Sequence, residues 1–392
     1  MRIAIVHDYF TQMGGAEKVA EEMFRMFPRA SLLSTAAFED KLPPGLQGAT
    51  IKTSWMQHLP MMRKYYRSYF LLYPFAVGSL DLSNYDLVFS SSSGYAKGVS
   101  ASRDAMHICY CHTPMRWAWN FDGYSEREAM SPMMRVALQG LTSALRWWDL
   151  GASRQPDHFI ANSKVVADRI QKAYGRTAEV IHPPIDVDRF RPADQVEDYY
   201  MVLSRMVSYK RLDLAIEACT RLNKRLLVVG TGSHRDHLES IAGPSVQFLG
   251  RVRDAEVARL AAHCRALLFP GEEDFGMAPL EVAAAGRPTI AFRAGGATET
   301  IVDGSTGLFF DQQTPESLME AIERFERQEW SPVEIRKRAE EFSVPVFRQR
   351  LSRFLERVNA PVSSADLNPV HERFPVAYGM DTALGRRAAT SL

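Results

Sequence analysis

Short apolar runs recur along the chain, each bounded by polar or glycine-rich turns and most followed by residues at helical spacing. Ile3-Ala4-Ile5-Val6 opens the sequence, polar His7 and Asp8 follow, and then comes Met13-Gly14-Gly15-Ala16-Glu17. From Glu17 onward, Val19, Ala20, Met23, Phe24 and Phe27 fall on one face of a helix. Strand, glycine loop and helix predict the first unit of a βαβ fold. Further strands are predicted at Leu87–Phe89, Ile108–Tyr110 and His158–Ala161, the last before a helix containing Val165 to Ile170. A second series starts with a strand at Tyr200–Leu203 and a helix at Leu212–Arg221. It continues with strands at Arg225–Val229 and Gln247–Leu249, a helix at Ala255–His263, and strands at Ala266–Phe269 and Thr289–Phe292.

Between the two series prolines cluster, from His182-Pro183-Pro184-Ile185-Asp186 to Arg191-Pro192, and 193–199 is polar. The interdomain linker is placed there. The expected fold class is α/β, with two Rossmann-like doubly wound domains, 1–190 and 191–344, facing each other across a deep cleft. A helix from Pro345 to Val358 ends the second series, and 345–360 is expected to cross back onto the first domain. Residues 361–392 mix Ser, Pro, Arg and small residues without periodicity, which predicts a mobile tail.

Composition narrows this picture. At 392 residues the chain exceeds one ordinary core, and 46% hydrophobic with 24% charged residues describes a globular protein. A formal net charge of +1 argues against a nucleic-acid partner. Four cysteines make no disulfide framework, and no signal pattern stands at the start, so a reducing cytoplasm is expected. No segment is apolar for long enough to span a bilayer; the best, Tyr69–Leu80, contains Pro74 and Gly78. Met61–Phe75 mixes Arg63, Lys64 and Arg67 with Tyr65, Tyr66, Tyr69, Phe70 and Leu71. That pattern fits a helix lying on an anionic membrane, peripheral on its inner face, and equally a buried helix with snorkelling cations.

Candidate chemistry concentrates around Glu273 and Glu281, eight positions apart in Phe269-Pro270-Gly271-Glu272-Glu273-Asp274-Phe275-Gly276-Met277 and the helix that follows. One carboxylate is predicted in the loop beyond a strand and the other in the first turns of the next helix, which is the ligand crevice of a parallel sheet. A carboxylate accepts two hydrogen bonds side by side and so suits paired sugar hydroxyls. Gly14 and Gly15 let backbone approach a phosphate, at a helix start whose free N–H groups favour anions. Arg205 and Lys210 follow a strand and supply a fork and a point charge for phosphate oxygens. Each feature has a plainer reading, as a turn, a solvated basic loop or helix-entry acids.

The pair Glu273 and Glu281, followed by Ala283-Ala284-Ala285-Gly286-Arg287-Pro288, resembles the signature of retaining glycosyltransferases of the GT4 family, which have the GT-B fold. Gly14-Gly15-Ala16-Glu17, Asp186 to Phe190 with Pro192, Ser204-Arg205 with Lys210-Arg211, Val229-Gly230-Thr231-Gly232 and Gly295-Gly296-Ala297-Thr298-Glu299 agree in order, over about residues 1 to 345. The resemblance implies that Glu281 holds the nucleotide ribose. It implies that Glu273 contacts the transferred sugar, helped by the amides of Phe275, Gly276 and Met277. Gly14 and Gly15 would meet the donor diphosphate, with Arg205 and Lys210 neutralising it. His112, in Cys111-His112-Thr113-Pro114, would face the sugar and orient it or stabilise charge near the anomeric carbon.

The resemblance further implies a nucleotide-sugar donor and no metal or other cofactor. The opening Ile5-Val6-His7-Asp8-Tyr9-Phe10-Thr11 looks most like bacterial surface-polysaccharide mannosyltransferases, implying GDP-mannose and a glycan or polyprenyl-linked acceptor. UDP-glucose or UDP-N-acetylhexosamines are the alternatives. Asp186-Val187-Asp188 mimics a metal motif of a different glycosyltransferase fold, and His107, Cys109 and Cys111 share a strand face without a second ligand pair. A nucleotide-cofactor oxidoreductase is a rival, because Val229-Gly230-Thr231-Gly232 follows a strand, but position 235 is Arg where the full fingerprint has Gly. A catalytically silent partner keeping the fold is another.

Overall fold

A computed structural model describes residues 1–119 and 132–368. Two all-parallel sheets carry the chain. The first contains β1 (Ile3–His7), β2 (Ser31–Ser34), β3 (Ile51–Thr53), β4 (Leu87–Ser92), β5 (Met106–Cys111), β6 (His158–Ala161) and β7 (Glu179–Val180), in the order β3-β2-β1-β4-β5-β6-β7. The second contains β8 (Tyr200–Leu203), β9 (Leu226–Val229), β10 (Val246–Gly250), β11 (Leu267–Phe269), β12 (Thr289–Phe292) and β13 (Gly307–Phe310), in the order β10-β9-β8-β11-β12-β13. This is the two-lobed Rossmann-like pairing expected for a GT-B protein. Helices cover both faces of each sheet, so the central strands are buried on both faces instead of alternating.

Strand order reverses at β1/β4 in the first lobe and at β8/β11 in the second. Loops leaving the carboxyl ends of strands at such a switch point diverge and open a crevice. Gly14 and Gly15 follow β1, Arg205 and Lys210 follow β8, and Glu273 follows β11. Topology alone therefore carries these residues to the two binding crevices.

The first core joins Ile5, Val19, Met23, Phe89 and Ile108 to Phe347, Leu351, Phe354 and Leu355 of the helix Val344–Arg357. A buried pair, Arg348 Nε to Glu22 Oε1 at 2.6 Å, ties that helix to the helix Gly15–Met26. The last long helix thus packs on the first lobe. Ile185 N donates to Phe342 O at 2.8 Å where the chain's two passages between lobes run side by side. Phe190 is already buried in the second lobe's core.

Two sequence expectations change. The stretch 61–75 is not one helix: it holds a short helix Met62–Tyr65 and the start of another, Tyr73–Gly78. Met61 enters the first with φ 50°, and Pro74 begins the second, so no continuous amphipathic face forms. The expected loose tail is docked at its beginning. Val362 and Leu367 pack on the first core, Asn368 N donates to Met26 O at 2.9 Å, and Asp366 lies 3.7 Å from the amino terminus. Positions 369–392 lie outside the described residues. Among the described residues no helix is long and apolar enough to cross a membrane.

Candidate active site

The loop 270–276 runs from β11 into the helix Met277–Ala284, and glycines shape it. Gly276 has φ 79°, and a Cβ there would stand 2.8 Å from the Phe269 ring. Gly295, at φ 61°, lies so close to Glu273 that a Cβ would run into its carbonyl oxygen, and Gly296 N donates to that oxygen at 2.9 Å. The backbone of Glu273 is thereby clamped from β12's loop. Its half-buried carboxylate is paired with Lys210 Nζ.

Arg205 is exposed on the loop after β8, where Nη1 donates to Gln12 Oε1 at 3.0 Å. The glycine turn Val229-Gly230-Thr231-Gly232 supports that loop. Cβ atoms on Gly230 and Gly232 would collide with the carbonyls of Ser204 and Met206. This close backbone packing explains the glycines without a dinucleotide. Around Tyr209, Lys210 lies 5.3 Å and Arg116 5.2 Å from the ring centre, and Arg205 Nη2 lies 3.5 Å from its hydroxyl. Three cations therefore converge on one aromatic platform.

The first lobe meets this region directly. A Cβ on Gly15 would lie 2.7 Å from Met277 Sδ, so the glycine turn abuts the start of the second lobe's helix. Lys18, one turn further along, donates to Glu281 Oε1 at 2.6 Å. Burial alone would raise the Glu281 pKa, but Lys18 and, more weakly, Arg189 outweigh it and hold the carboxyl below the usual value. Arg116 reaches Asp274 at 2.6 Å, and Arg169 pairs with both Asp274 and Glu272.

His112 follows β5 and is almost sealed at 6% exposure. Its backbone is held at both ends, N to Ser92 O at 2.8 Å and O from Asn162 Nδ2 at 2.9 Å. Burial, with a smaller push from His7, lowers its pKa to about 3, so the imidazole is neutral at ordinary pH. Neutral imidazole can orient a hydroxyl or lend a lone pair to developing positive charge, whereas an imidazolium would oppose it.

Glutamate 299 closes the Gly295-Gly296-Ala297-Thr298-Glu299 run and spans the lobes. It accepts from Lys164 N at 2.8 Å, at the amino end of the helix Lys164–Tyr174, and from His182 Nε2 at 3.0 Å. Burial raises its pKa, and the His182 bond and the Lys164 amide lower it further than that, for a net fall. With folded values depressed, Glu281 and Glu299 contribute interlobe stability in full above the ordinary value of 4.5, and it is lost as pH falls through the lowered values. Small-angle scattering should record lobe separation as pH is taken down through the carboxylate range, and Glu299→Gln should separate at higher pH than the unaltered protein. An identical profile for the two would remove Glu299 from the link.

The spacing of the sequence pointed to Glu273, Glu281, Arg205, Lys210 and the glycines, and the fold gathers them at one interlobe surface. It did not point to Lys18, Arg116, Asp274 or Glu299. Lys18 directly follows the glycine motif, near the start of the helix Gly15–Met26, and Arg116 lies four residues after His112, at the start of the helix Arg116–Trp119, so both stand just beyond a post-strand loop where charge is informative. Asp186 has a structural use, accepting from Arg189 N at 3.3 Å at the start of a short 3₁₀ helix. Among the described residues no group of three His, Cys, Asp or Glu is arranged to hold a metal.

Comparison with known proteins bears on family and fold. Residues 13–189 match the family described as Glycosyltransferase Family 4, and residues 186–342 match Glycosyl transferases group 1. A D-inositol 3-phosphate glycosyltransferase of Nocardioides sp. is 30% identical over 208 residues, 43% of this chain and 45% of that protein. The GDP-mannose-dependent alpha-(1-6)-phosphatidylinositol monomannoside mannosyltransferase of Mycolicibacterium smegmatis is 29% identical over 192 residues, 41% of this chain and 50% of that one. The chain spans about half the length of these curated relatives. The crystal structure of Anabaena HepE in complex with UDP shares the fold at a TM-score of 0.69 and 17% identity, covering 91% of this chain and 100% of that one. With residues 13–189 and 186–342 matched in order by the two glycosyltransferase families, the chain belongs to the GT4 glycosyltransferases of GT-B fold.

Proposed function

We propose that this protein transfers a hexose with retention of configuration from a nucleoside-diphosphate sugar, with GDP-mannose as donor and a glycan or lipid-linked acceptor of surface polysaccharide synthesis. The observation that carries the proposal is the convergence of two carboxylates and the cations Lys18, Arg116, Arg205 and Lys210 on the surface between two switch-point crevices. The mannose reading draws on the activity of the Mycolicibacterium relative and on the chain's opening residues.

In this reading the diphosphate lies between the Gly14–Gly15 turn and Arg205 with Lys210. Glu281 accepts hydrogen bonds from the ribose and Glu273 from the hexose, while the amides of Phe275, Gly276 and Met277 face the sugar. Lys18 and Lys210 exchange their carboxylate partners for donor oxygens. The acceptor oxygen bonds to the anomeric carbon on the face from which diphosphate departs, the glycosidic C–O bond to phosphate breaks, and a phosphate oxygen takes the acceptor's proton. Charge growing on the leaving group is met by fixed cations, the largest expected contribution to rate. Contact between the lobes excludes water and limits donor hydrolysis.

A donor panel read by nucleotide release, with membrane lipid extract as acceptor, tests this. GDP-mannose should be turned over faster than UDP-glucose or UDP-N-acetylglucosamine. Equal or faster turnover of a UDP-sugar ends the mannose assignment, and binding of no sugar nucleotide in calorimetry ends the transferase reading. We place no metal in the reaction, so a chelator should change the rate less than about twofold. A large loss would return attention to Asp186 and Asp188.

A lipid-linked acceptor would favour contact with an anionic membrane through 61–75. Tyr66, Tyr69, Phe70 and Leu72 pack onto the first lobe, while Met61 and Phe75 remain 61% and 70% exposed. Anionic vesicles should co-sediment the protein more than neutral ones, and Met61→Ser with Phe75→Ser should weaken that binding. Equal sedimentation with both vesicle types would set the membrane contact aside.

A further inference from the structure

Behind His112 runs a file of buried polar side chains that the transfer chemistry above does not use. His112 Nε2 lies 2.8 Å from Ser91 Oγ, and the same oxygen lies 3.0 Å from His7 Nδ1. His7 Nε2 in turn lies 3.9 Å from Glu17 Oε1. His7, Ser91 and Glu17 are each at most 2% exposed. Sheet register produces the alignment. His7 is paired with Ser91 across β1 and β4, and Ser92 is paired with Cys111 across β4 and β5, so His112 falls on the same face one step beyond.

The serine hydroxyl has one proton. It can donate to one imidazole only, and it must accept from the other. Which way it turns is set at the far end of the file. Glu17 is an acceptor facing Nε2 of His7, and at 3.9 Å its negative charge favours the tautomer with the proton on that nitrogen. Nδ1 of His7 is then bare and takes the serine proton. Ser91 Oγ is left to accept, and His112 must present Nε2–H to it.

We propose that Glu17, acting through His7 and Ser91, fixes His112 as its Nε2–H tautomer and turns the bare Nδ1 into the ring atom available to a donor-sugar hydroxyl. His112 then reads a hydroxyl that donates, and a sugar lacking that hydroxyl leaves the lone pair unmatched. Glu17, His7 and Ser91 are positioning residues that act through His112. The other oxygen of Glu17 would stand only 2.9 Å from a Cβ on Gly14, so the glycine turn expected to meet the diphosphate also makes room for the carboxylate that orients the file.

The catalytic consequence rests on the glycosyl-transfer reading, whereas the tautomer can be observed without any substrate. The test uses the full chain labelled with ¹⁵N at histidine, with long-range ¹H–¹⁵N correlations near pH 7 and His112 assigned through His112→Asn. The expected result is a neutral His112 with Nε2 protonated and Nδ1 bare. In Glu17→Gln the amide can donate to His7 Nε2 and reverse the file, so His112 should shift toward its Nδ1–H form; Ser91→Ala should give a mixture of tautomers. In turnover, both variants should lower kcat by about tenfold and leave the donor KM within about twofold. A bare Nε2 or a charged ring in the unaltered protein overturns the proposal. So does an unchanged tautomer in Glu17→Gln, which leaves the fold less disturbed than Ser91→Ala. If the spectra show the expected tautomer while no sugar nucleotide is turned over, the transfer reading alone fails.

Discussion

Glu273→Ala is expected to lower transfer by about a thousandfold while moving nucleotide affinity by less than about threefold. The carboxylate sits on a loop held by the Gly295–Gly296 turn, in the crevice at β11, and it faces the hexose in the proposed reading. Its loss leaves Lys210 without its partner, and with the two side chains only 11% and 18% exposed the cost to stability is about 3 kcal/mol and several degrees in Tm. Single-turnover transfer, calorimetric GDP binding and a thermal scan separate these effects. Near-normal turnover would take Glu273 out of the site. Weakened GDP binding of the same size as the rate loss would assign it to the nucleotide instead.

Arg205→Ala should cost about a hundredfold in kcat and leave Tm within about 1 °C. Here magnitudes decide between two readings of one side chain. An exposed arginine whose one strong contact among the described residues is the 3.0 Å bond to Gln12 contributes little to the fold, within about 0.5 kcal/mol. Stabilisation of a leaving diphosphate is worth about 3 kcal/mol per well-placed donor. A large rate loss without a thermal shift therefore marks a catalytic role, and a thermal shift without rate loss marks a structural one. Arg205→Lys should recover only part of the rate, because an ammonium cannot fork onto two oxygens.

How much of this was legible in the sequence differs between fold and site. The helix at Leu212–Arg221 and the strand at Thr289–Phe292 were readable to the residue, since burial on one helix face leaves a period of about 3.6 residues and burial on both strand faces leaves a short apolar run bounded by turn residues. The strands β2, β3, β7 and β13 were not. The first three are short and lie toward the sheet's edges, and Ser31, Lys52 and Glu179 dilute their apolar pattern. The strand Gly307–Phe310 was readable in principle, as an apolar run after a glycine. In the site, the two glutamates were legible because their spacing is local. Lys18 and Glu281 lie 263 positions apart, and no periodicity announces a pair made only when two lobes meet. The file behind His112 had one signal, the three consecutive serines that end a buried strand at Ser90-Ser91-Ser92. Polar side chains in such a place need partners, and their partners were histidines on neighbouring strands.

The helix Val344–Arg357 has a consequence for how the molecule is born. Because Phe347, Leu351, Phe354 and Leu355 complete the hydrophobic interior that begins at Ile3, the amino-terminal half leaves the ribosome with an apolar face still uncovered. The lobe synthesised second has its own sheet and interior in hand before that helix emerges. Maturation therefore runs against the direction of translation: the later lobe can settle first, and the earlier one waits for residues 344–357.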